Sequence, residues 1–174
     1  MTAWAGLYLA GCILLVVAGW AKVREPAATE RALAGASAGS MSAPFWAVRA
    51  GGLVEVALGM TGLSAAAPRP AALVALCYTA FAGFVVVALA RGSAGRGCGC
   101  FGAGADDVPL GPLHVVVNLA LASAAAAVAA GGGLAAPAME RAGVSVLAAV
   151  LAWVVFQVFV PLPRLMAVVR EARR

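Results

Sequence analysis

Two cysteines, Cys98 and Cys100, are separated by a single glycine in the segment GRGCGCFGAG, between two long apolar runs. A disulfide joining them would close a very small ring, and departures from relaxed disulfide geometry store strain and make the bond easier to reduce. Strained, exposed disulfides have more oxidising potentials and tend to be catalytic or regulatory. Gly99 permits the necessary bend, and the charges of Arg91 and Arg96 would favour the thiolate. The spacing therefore favours a redox pair.

Two other interpretations of the cysteine pair stay open. Cys-x-Cys is also half of a soft-metal site, which would need further ligands. His114, the only histidine, could supply one, and a four-ligand zinc site would also have to recruit Cys12 or Cys77. The pair could instead be two unreactive thiols in a tight loop. We expect neither a metal nor another cofactor.

The composition is that of an integral membrane protein. The 174 residues are 64% hydrophobic and 11% charged, with a mean hydropathy of +0.99, whereas soluble domains are about 25% charged. A helix needs about 20 apolar residues to cross the hydrocarbon core, and five segments approach this: 3–21, 47–67, 71–90, 113–131 and 144–160. The sequence predicts an all-α, polytopic transmembrane helix bundle of four to five spans, with no nucleic-acid module.

The basic residues predict an orientation. Ten of the twelve lie at one face of a five-span topology, and only Arg69 and Arg141 lie at the other. Because basic residues in short loops favour the cytoplasm, the N-terminus should lie outside, and the C-terminus and the Cys98–Cys100 loop inside. Eleven of the twelve are arginine, which suggests a GC-rich genome and hence the inner membrane of a bacterium.

One carboxylate, Glu55, lies within a predicted span, where ionisable groups are costly and are functional candidates. Arg49, six residues earlier, does not share its helix face. Lys22 ends the first span at the same membrane face and can extend its ammonium group toward the surface. We predict a Lys22–Glu55 pair that joins the first two spans. Its role is either to lock the bundle or to handle protons near the thiols.

Three further residues, His114, Cys12 and Cys77, each have two possible roles. His114 opens the fourth span, with Asn118 one turn later on the same face. It is either an interfacial hydrogen-bonding residue or a base or metal ligand that serves the cysteines. Cys12 and Cys77 lie in the first and third spans, where a buried free cysteine usually packs as a small hydrophobe. The alternative is an internal thiol pair that accepts electrons from Cys98 and Cys100.

Three motifs, AGWAKVREP, RAGGLVEVALG and CGCFG, resemble those of the MauE family of methylamine-utilisation proteins, which is related to DoxX-like membrane proteins. The resemblance covers residues 1 to about 130. It implies a small membrane helix bundle that acts with a thioredoxin-like partner in maturing the disulfide-rich small subunit of methylamine dehydrogenase. The functional positions it implies are Cys98 and Cys100, with Lys22, Arg49 and Glu55 as polar motif residues.

The resemblance divides the chain into a four-helix MauE/DoxX-like domain, residues 1–135, and an additional C-terminal span with a basic tail, residues 136–174. The expected partners are a thioredoxin-like redox protein, a protein substrate with disulfides, and the lipid bilayer. That substrate matures outside the cytoplasm, where disulfides persist, whereas the charges place the cysteine loop inside. Either the topology is inverted, or electrons are relayed across the membrane, or the substrate is different. The alternative function is a non-catalytic assembly scaffold or a metal-handling protein.

Overall fold

The computed structural model describes residues 3–36, 43–65, 67–92, 99, 110–134 and 138–159. In these ranges the chain forms helices and no strand, which confirms the all-α fold. The helices are α1 (Ala3–Arg24), α2 (Pro26–Ala36), α3 (Phe45–Ala65), α4 (Pro68–Ala90), α5 (Pro112–Ala130) and α6 (Ala138–Phe159).

Three of the described helices are long and apolar enough to cross a membrane: Trp4–Arg24 of α1, all of α4 and all of α5. The apolar described part of α6, Val146–Gln157, is shorter. Helix α3 has 21 residues, but Arg49, Glu55 and four glycines lower its hydropathy. Of the five predicted spans, the alanine-rich fourth therefore meets the criteria for a span, whereas the second does not.

Helix α2 is absent from the predicted elements. It begins at Pro26, and proline favours the first helical turn because its missing N–H group is not needed there. With eleven residues it is too short to cross a membrane. It contacts α1, α3 and α4, and Ala28 and Ala32 are buried. Helix α2 therefore lies against the bundle at the end where α1 finishes.

The hydrophobic core forms around α1, which contacts α3, α5 and α6, while α4 packs against α5. Tyr8, Leu15 and Val74 are among its most buried large side chains. Ala148 and Ala152 of α6 join the same core. The C-terminal helix is thus packed onto α1 together with the helices that precede it.

Helices α1 and α3 pack closely along one seam. A side chain at Gly52 would place its Cβ 2.6 Å from the carbonyl oxygen of Gly19, and one at Gly59 would lie 2.6 Å from that of Cys12. The spacing of the buried positions alternates between four and three residues, as in a heptad seam. They are Val48, Gly52, Glu55, Gly59 and Gly62. Small residues let membrane helices approach closely, and here they bring α1 against the face that carries Glu55.

Candidate functional site

The centre of the candidate site is a buried ion pair between α1 and α3. Lys22 Nζ donates a hydrogen bond to Glu55 Oε2 at 2.7 Å, and each side chain is only 9% exposed. This confirms the pair predicted from the sequence. Glycines place it: a Cβ at Gly19 would lie 2.9 Å from that of Glu55, and one at Gly52 would lie 3.1 Å from that of Lys22. The ion pair therefore depends on the glycine seam.

An aromatic side chain of α4 covers the ammonium group. Lys22 Nζ lies 5.3 Å from the ring centroid of Phe81, within the range of a cation–π interaction, which is stronger where water is excluded. The ring of Tyr78 meets Phe81 edge-on, with centroids 5.9 Å apart, and the Tyr78 hydroxyl donates to the carbonyl oxygen of Gly11 at 2.6 Å. Buried charges are costly unless paired. Glu55 and Phe81 together offset that cost for Lys22.

A cavity of about 320 Å³, called here the Lys22–Glu55 cavity, lies beside the ion pair. Its polar lining consists of Lys22, Glu55 and Thr29 of α2, and the rest is apolar, including Phe81 and Phe84. The cavity therefore combines two charged side chains with a lining that is otherwise mostly aromatic and aliphatic.

Gly99 is the one described residue between Gly92 and Leu110, and it packs on α2. The Thr29 hydroxyl donates a hydrogen bond to the Gly99 carbonyl oxygen at 2.7 Å. Gly99 is buried and has a φ of +62°, a conformation that glycine adopts at little cost. A Cβ there would lie 2.7 Å from the carbonyl oxygen of Ala28 and 2.9 Å from the side chain of Ala32. Only glycine fits this contact.

Gly99 therefore contacts two residues of α2, Thr29 and Ala32, that also line the Lys22–Glu55 cavity. Cys98 and Cys100 themselves lie outside the described residues, as does Arg96. Their redox role stays a prediction. Gly99, which lies between them in the sequence, is the described residue on which that prediction can be built.

A second, smaller cavity of about 70 Å³ lies on the other side of Lys22. Its polar lining is formed by Lys22, Tyr78, His114 and Asn118, which confirms that His114 and Asn118 share a face. That volume is enough for a few water molecules, and several polar partners are present to hold them. Lys22 lines both cavities and so connects the ion pair with the start of α5.

His114 has a local structural role at the start of α5. The backbone N–H of Gly111 donates to His114 Nδ1 at 3.3 Å, and the Asn118 side-chain amide donates to the His114 carbonyl oxygen at 2.6 Å. These contacts favour the interpretation of His114 as a hydrogen-bonding residue at the helix start. Its service as a base or ligand to the cysteines stays a prediction.

The remaining predicted site residues are not members of the ion pair. Arg49 is exposed near the start of α3, while Glu55 is buried, so the two do not share a face, as predicted. Cys12 and Cys77 are free thiols, Cys12 fully buried and Cys77 half-buried against the core. Within the described ranges, no three His, Cys, Asp or Glu residues are grouped so that they could hold a metal ion.

Sequence reasoning did not identify Thr29, Phe81 and Phe84. The two phenylalanines lie three residues apart on α4, three and six residues after Tyr78, a helical spacing that could have indicated an aromatic face. Nothing in the sequence signals Thr29, because its hydrogen bond reaches a backbone carbonyl 70 residues away.

The family model for methylamine utilisation protein MauE matches residues 1–131. The match covers α1 to α5, together with the Cys98–Cys100 segment, and ends before α6 begins. No curated protein and no solved structure matches the chain significantly.

Proposed function

The chain belongs to the MauE family, and on that premise we propose that it is an integral membrane thiol–disulfide redox protein whose working couple is Cys98 and Cys100. The observation that carries the proposal is the contact of Gly99 with Thr29 on the wall of the Lys22–Glu55 cavity. Consecutive Cα atoms are only about 3.8 Å apart. Chain connectivity therefore keeps each cysteine one residue from this contact, and Thr29 lines the same cavity as the buried ammonium–carboxylate pair.

The exchange reaction follows from ordinary thiol chemistry. The thiolate of one cysteine attacks a disulfide of a partner protein, forms a mixed disulfide and releases one partner thiol. The second cysteine then attacks the mixed disulfide, which leaves a Cys98–Cys100 disulfide and a fully reduced partner; the reverse sequence oxidises the partner. A nearby cation favours the thiolate. In this proposal Lys22 supplies that cation, and Glu55 accepts the proton that a thiol releases.

The burial of the ion pair supports a functional use. Two charges in an apolar bundle require a desolvation penalty that packing of apolar side chains would avoid, so a buried ion pair is weak evidence for added stability. Ionisable groups at membrane depth are functional candidates by default. The pair lines the same cavity as Thr29, which Gly99 contacts, and this shared cavity supports a link between its charge and the cysteine segment.

The family suggests the partner and the substrate. We propose a thioredoxin-like protein as the exchange partner, and maturation of a disulfide-rich protein, such as the small subunit of methylamine dehydrogenase, as the process served. Electrons would pass between the Cys98–Cys100 couple and the thioredoxin-like protein.

Trapping of the mixed disulfide tests this function. In a background of Cys12→Ala and Cys77→Ala, the single variants Cys98→Ser and Cys100→Ser would be co-expressed with the thioredoxin-like protein, acid-quenched and analysed without reductant. One of the two should accumulate a reducible adduct with that protein, because its resolving thiol is missing. The Cys98→Ser/Cys100→Ser double variant should form none. If neither single variant forms an adduct while the double variant still supports maturation, a scaffold function replaces the redox function.

We propose a bacterial inner-membrane location with the Cys98–Cys100 loop in the cytoplasm, so that a substrate that matures outside the cytoplasm is served by electrons relayed across the membrane. Helix α1 runs antiparallel to α3, with Gly19 against Gly52, and in the same direction as α4. Lys22, Arg24, Arg49 and Arg91 therefore lie toward the same end of the bundle, which supports the orientation expected from the charge rule. In the Cys12→Ala/Cys77→Ala background, a membrane-impermeant maleimide should label reduced protein only after the cells are permeabilised. Strong labelling of intact cells would place the loop outside.

A further inference from the structure

The Lys22–Glu55 cavity has the size and chemistry of a site for a small ring. Ligand pockets measure about 300–1,000 Å³ and are mostly apolar with a few placed polar groups. At about 320 Å³, this cavity is large enough for a single ring and too small for a folded segment of another protein. The aromatic rings of Phe81 and Phe84 form part of its wall, and the ammonium group of Lys22 lies at one side.

The cavity reaches the exposed surface of the described helices at α3 and α4. Gly51 of α3 and Ala80 of α4 line it, and both are exposed. A Cβ built at Gly51 meets no atom within 4 Å. The neighbouring surface is apolar: Val54, three residues after Gly51, is 58% exposed, and Leu76, four residues before Ala80, is 65% exposed. Helix α4 is long and apolar enough to cross a membrane, so its exposed surface would face acyl chains, and a ligand would enter the cavity from the bilayer.

We propose that this cavity binds the ring of a membrane quinone, and that the quinone oxidises the Cys98–Cys100 dithiol. The inference rests on the proposed redox function and names the second reactant. A lysine ammonium has three N–H donors; one is directed to Glu55, and another can donate to a quinone carbonyl oxygen. Phe81 and Phe84 offer ring faces for offset or edge-to-face contact.

The reaction balances without a further reactant. Two S–H bonds break and one S–S bond forms between Cys98 and Cys100. The two electrons and two protons pass to the two oxygens of the quinone, which leaves as quinol. The ammonium of Lys22 stabilises the negative charge that develops on the nearer oxygen during reduction, as fixed donors do in other active sites. A thiol couple that oxidises a partner must itself be reoxidised, and an acceptor dissolved in the bilayer can reach this cavity.

The first arm of the test measures binding without reaction. The Cys98→Ser/Cys100→Ser protein would be heated in detergent with and without a short-tailed, fully substituted benzoquinone, which cannot alkylate thiols. The quinone should raise the Tm of this protein. Adding Gly51→Leu should abolish the shift by filling the cavity, whereas Gly83→Leu should leave it intact. Gly83 is a matched control because it is also an exposed helical glycine with open space around its Cβ.

The second arm measures reaction. Reduced protein that retains Cys98 and Cys100 but lacks Cys12 and Cys77 would be mixed with the same quinone without oxygen. One quinol should form for each pair of thiols lost, and Gly51→Leu should slow the reaction at least about tenfold, with Gly83→Leu unchanged.

Separate outcomes distinguish the two proposals. Equal quinone effects on the Gly51→Leu and Gly83→Leu proteins would overturn the cavity as the site. A two-electron Cys98–Cys100 transition in glutathione buffers, with no quinone binding or reduction, would overturn this inference while the redox function stands. Quinone binding in the cavity with no transition at Cys98 and Cys100 would overturn the redox function and, with it, the oxidation step.

Discussion

Helix α1 presents two faces that are built in different ways. Toward α3 it meets a seam of glycines, where backbones approach closely and an ion pair is buried. Toward α4 and α5 it meets larger apolar side chains, Val74 and Leu121 among them. On that side Tyr78 closes the contact with a hydrogen bond to the α1 backbone at Gly11.

The difference separates packing from chemistry. Apart from the ring of Phe81, which lies beside the Lys22 ammonium group, the face toward α4 and α5 is stabilised by contacts that do not depend on a charge. The face toward α3 buries Lys22 and Glu55, which apolar packing alone would not require. Gly99 contacts Thr29, which lines the cavity beside this ion pair. Changes on the α3 side should therefore affect both stability and redox behaviour, whereas changes on the α4 side away from Phe81 and Phe84 should affect stability alone.

The largest effect should come from blocking the seam. Gly52→Leu would place a side chain against the backbone of α1, where a Cβ alone already lies 2.6 Å from the Gly19 carbonyl oxygen. Since α1 and α3 would have to separate and lose the ion pair, we expect a loss above about 5 kcal/mol, seen as failure to purify a monodisperse protein. Gly51→Leu, the same exchange one position earlier, should fold because its Cβ has open space. Equal thermal stability of the two variants would contradict the seam.

Breaking the ion pair should have the next largest effect. Removing one partner of a buried pair costs about 3–5 kcal/mol, because it leaves an uncompensated charge. Lys22→Ala and Glu55→Ala should each lower thermal stability in detergent by an amount in this range. The double variant should recover part of the loss, with a coupling of about 0.5–3 kcal/mol. Strictly additive losses would show that the two side chains do not stabilise each other.

The smallest effect should come from the α4 side. Tyr78→Phe removes the hydroxyl that donates to the Gly11 carbonyl oxygen but keeps the ring beside Phe81. Hydrogen bonds between membrane helices contribute about 0.6 kcal/mol on average. We expect a loss of that size in thermal stability and no change in the redox midpoint of Cys98 and Cys100. A shifted midpoint would mean that the two faces of α1 are not separate in function.

The sequence was sufficient for the parts of the molecule that obey strong local rules. Long apolar runs predicted the helix bundle, and a lysine and a carboxylate in an otherwise apolar region each required a partner, which predicted the Lys22–Glu55 pair. Arg49 was correctly placed off the face of Glu55, because six residues do not complete a whole number of helical turns.

The sequence was insufficient where a contact is made by the backbone, and where apolar and polar residues offset each other within one helix. Helix α2 is too short and too mixed in composition for a span pattern to indicate it. The acceptor of the Thr29 hydrogen bond is a main-chain carbonyl, and every residue carries one. Helix α3 also shows a conflict, because the glycines and charges that build the seam are the residues that make it a poor span.

The most direct test of the account is a redox titration of Cys98 and Cys100. Protein lacking Cys12 and Cys77 would be equilibrated in glutathione buffers of graded poise and trapped with a thiol-reactive mass tag. The account predicts one two-electron transition in which both tags appear together, with a midpoint above the value of about −300 mV that marks resistant structural disulfides. Either Cys98→Ser or Cys100→Ser should abolish the transition. Tagging of both thiols at every poise would contradict the account.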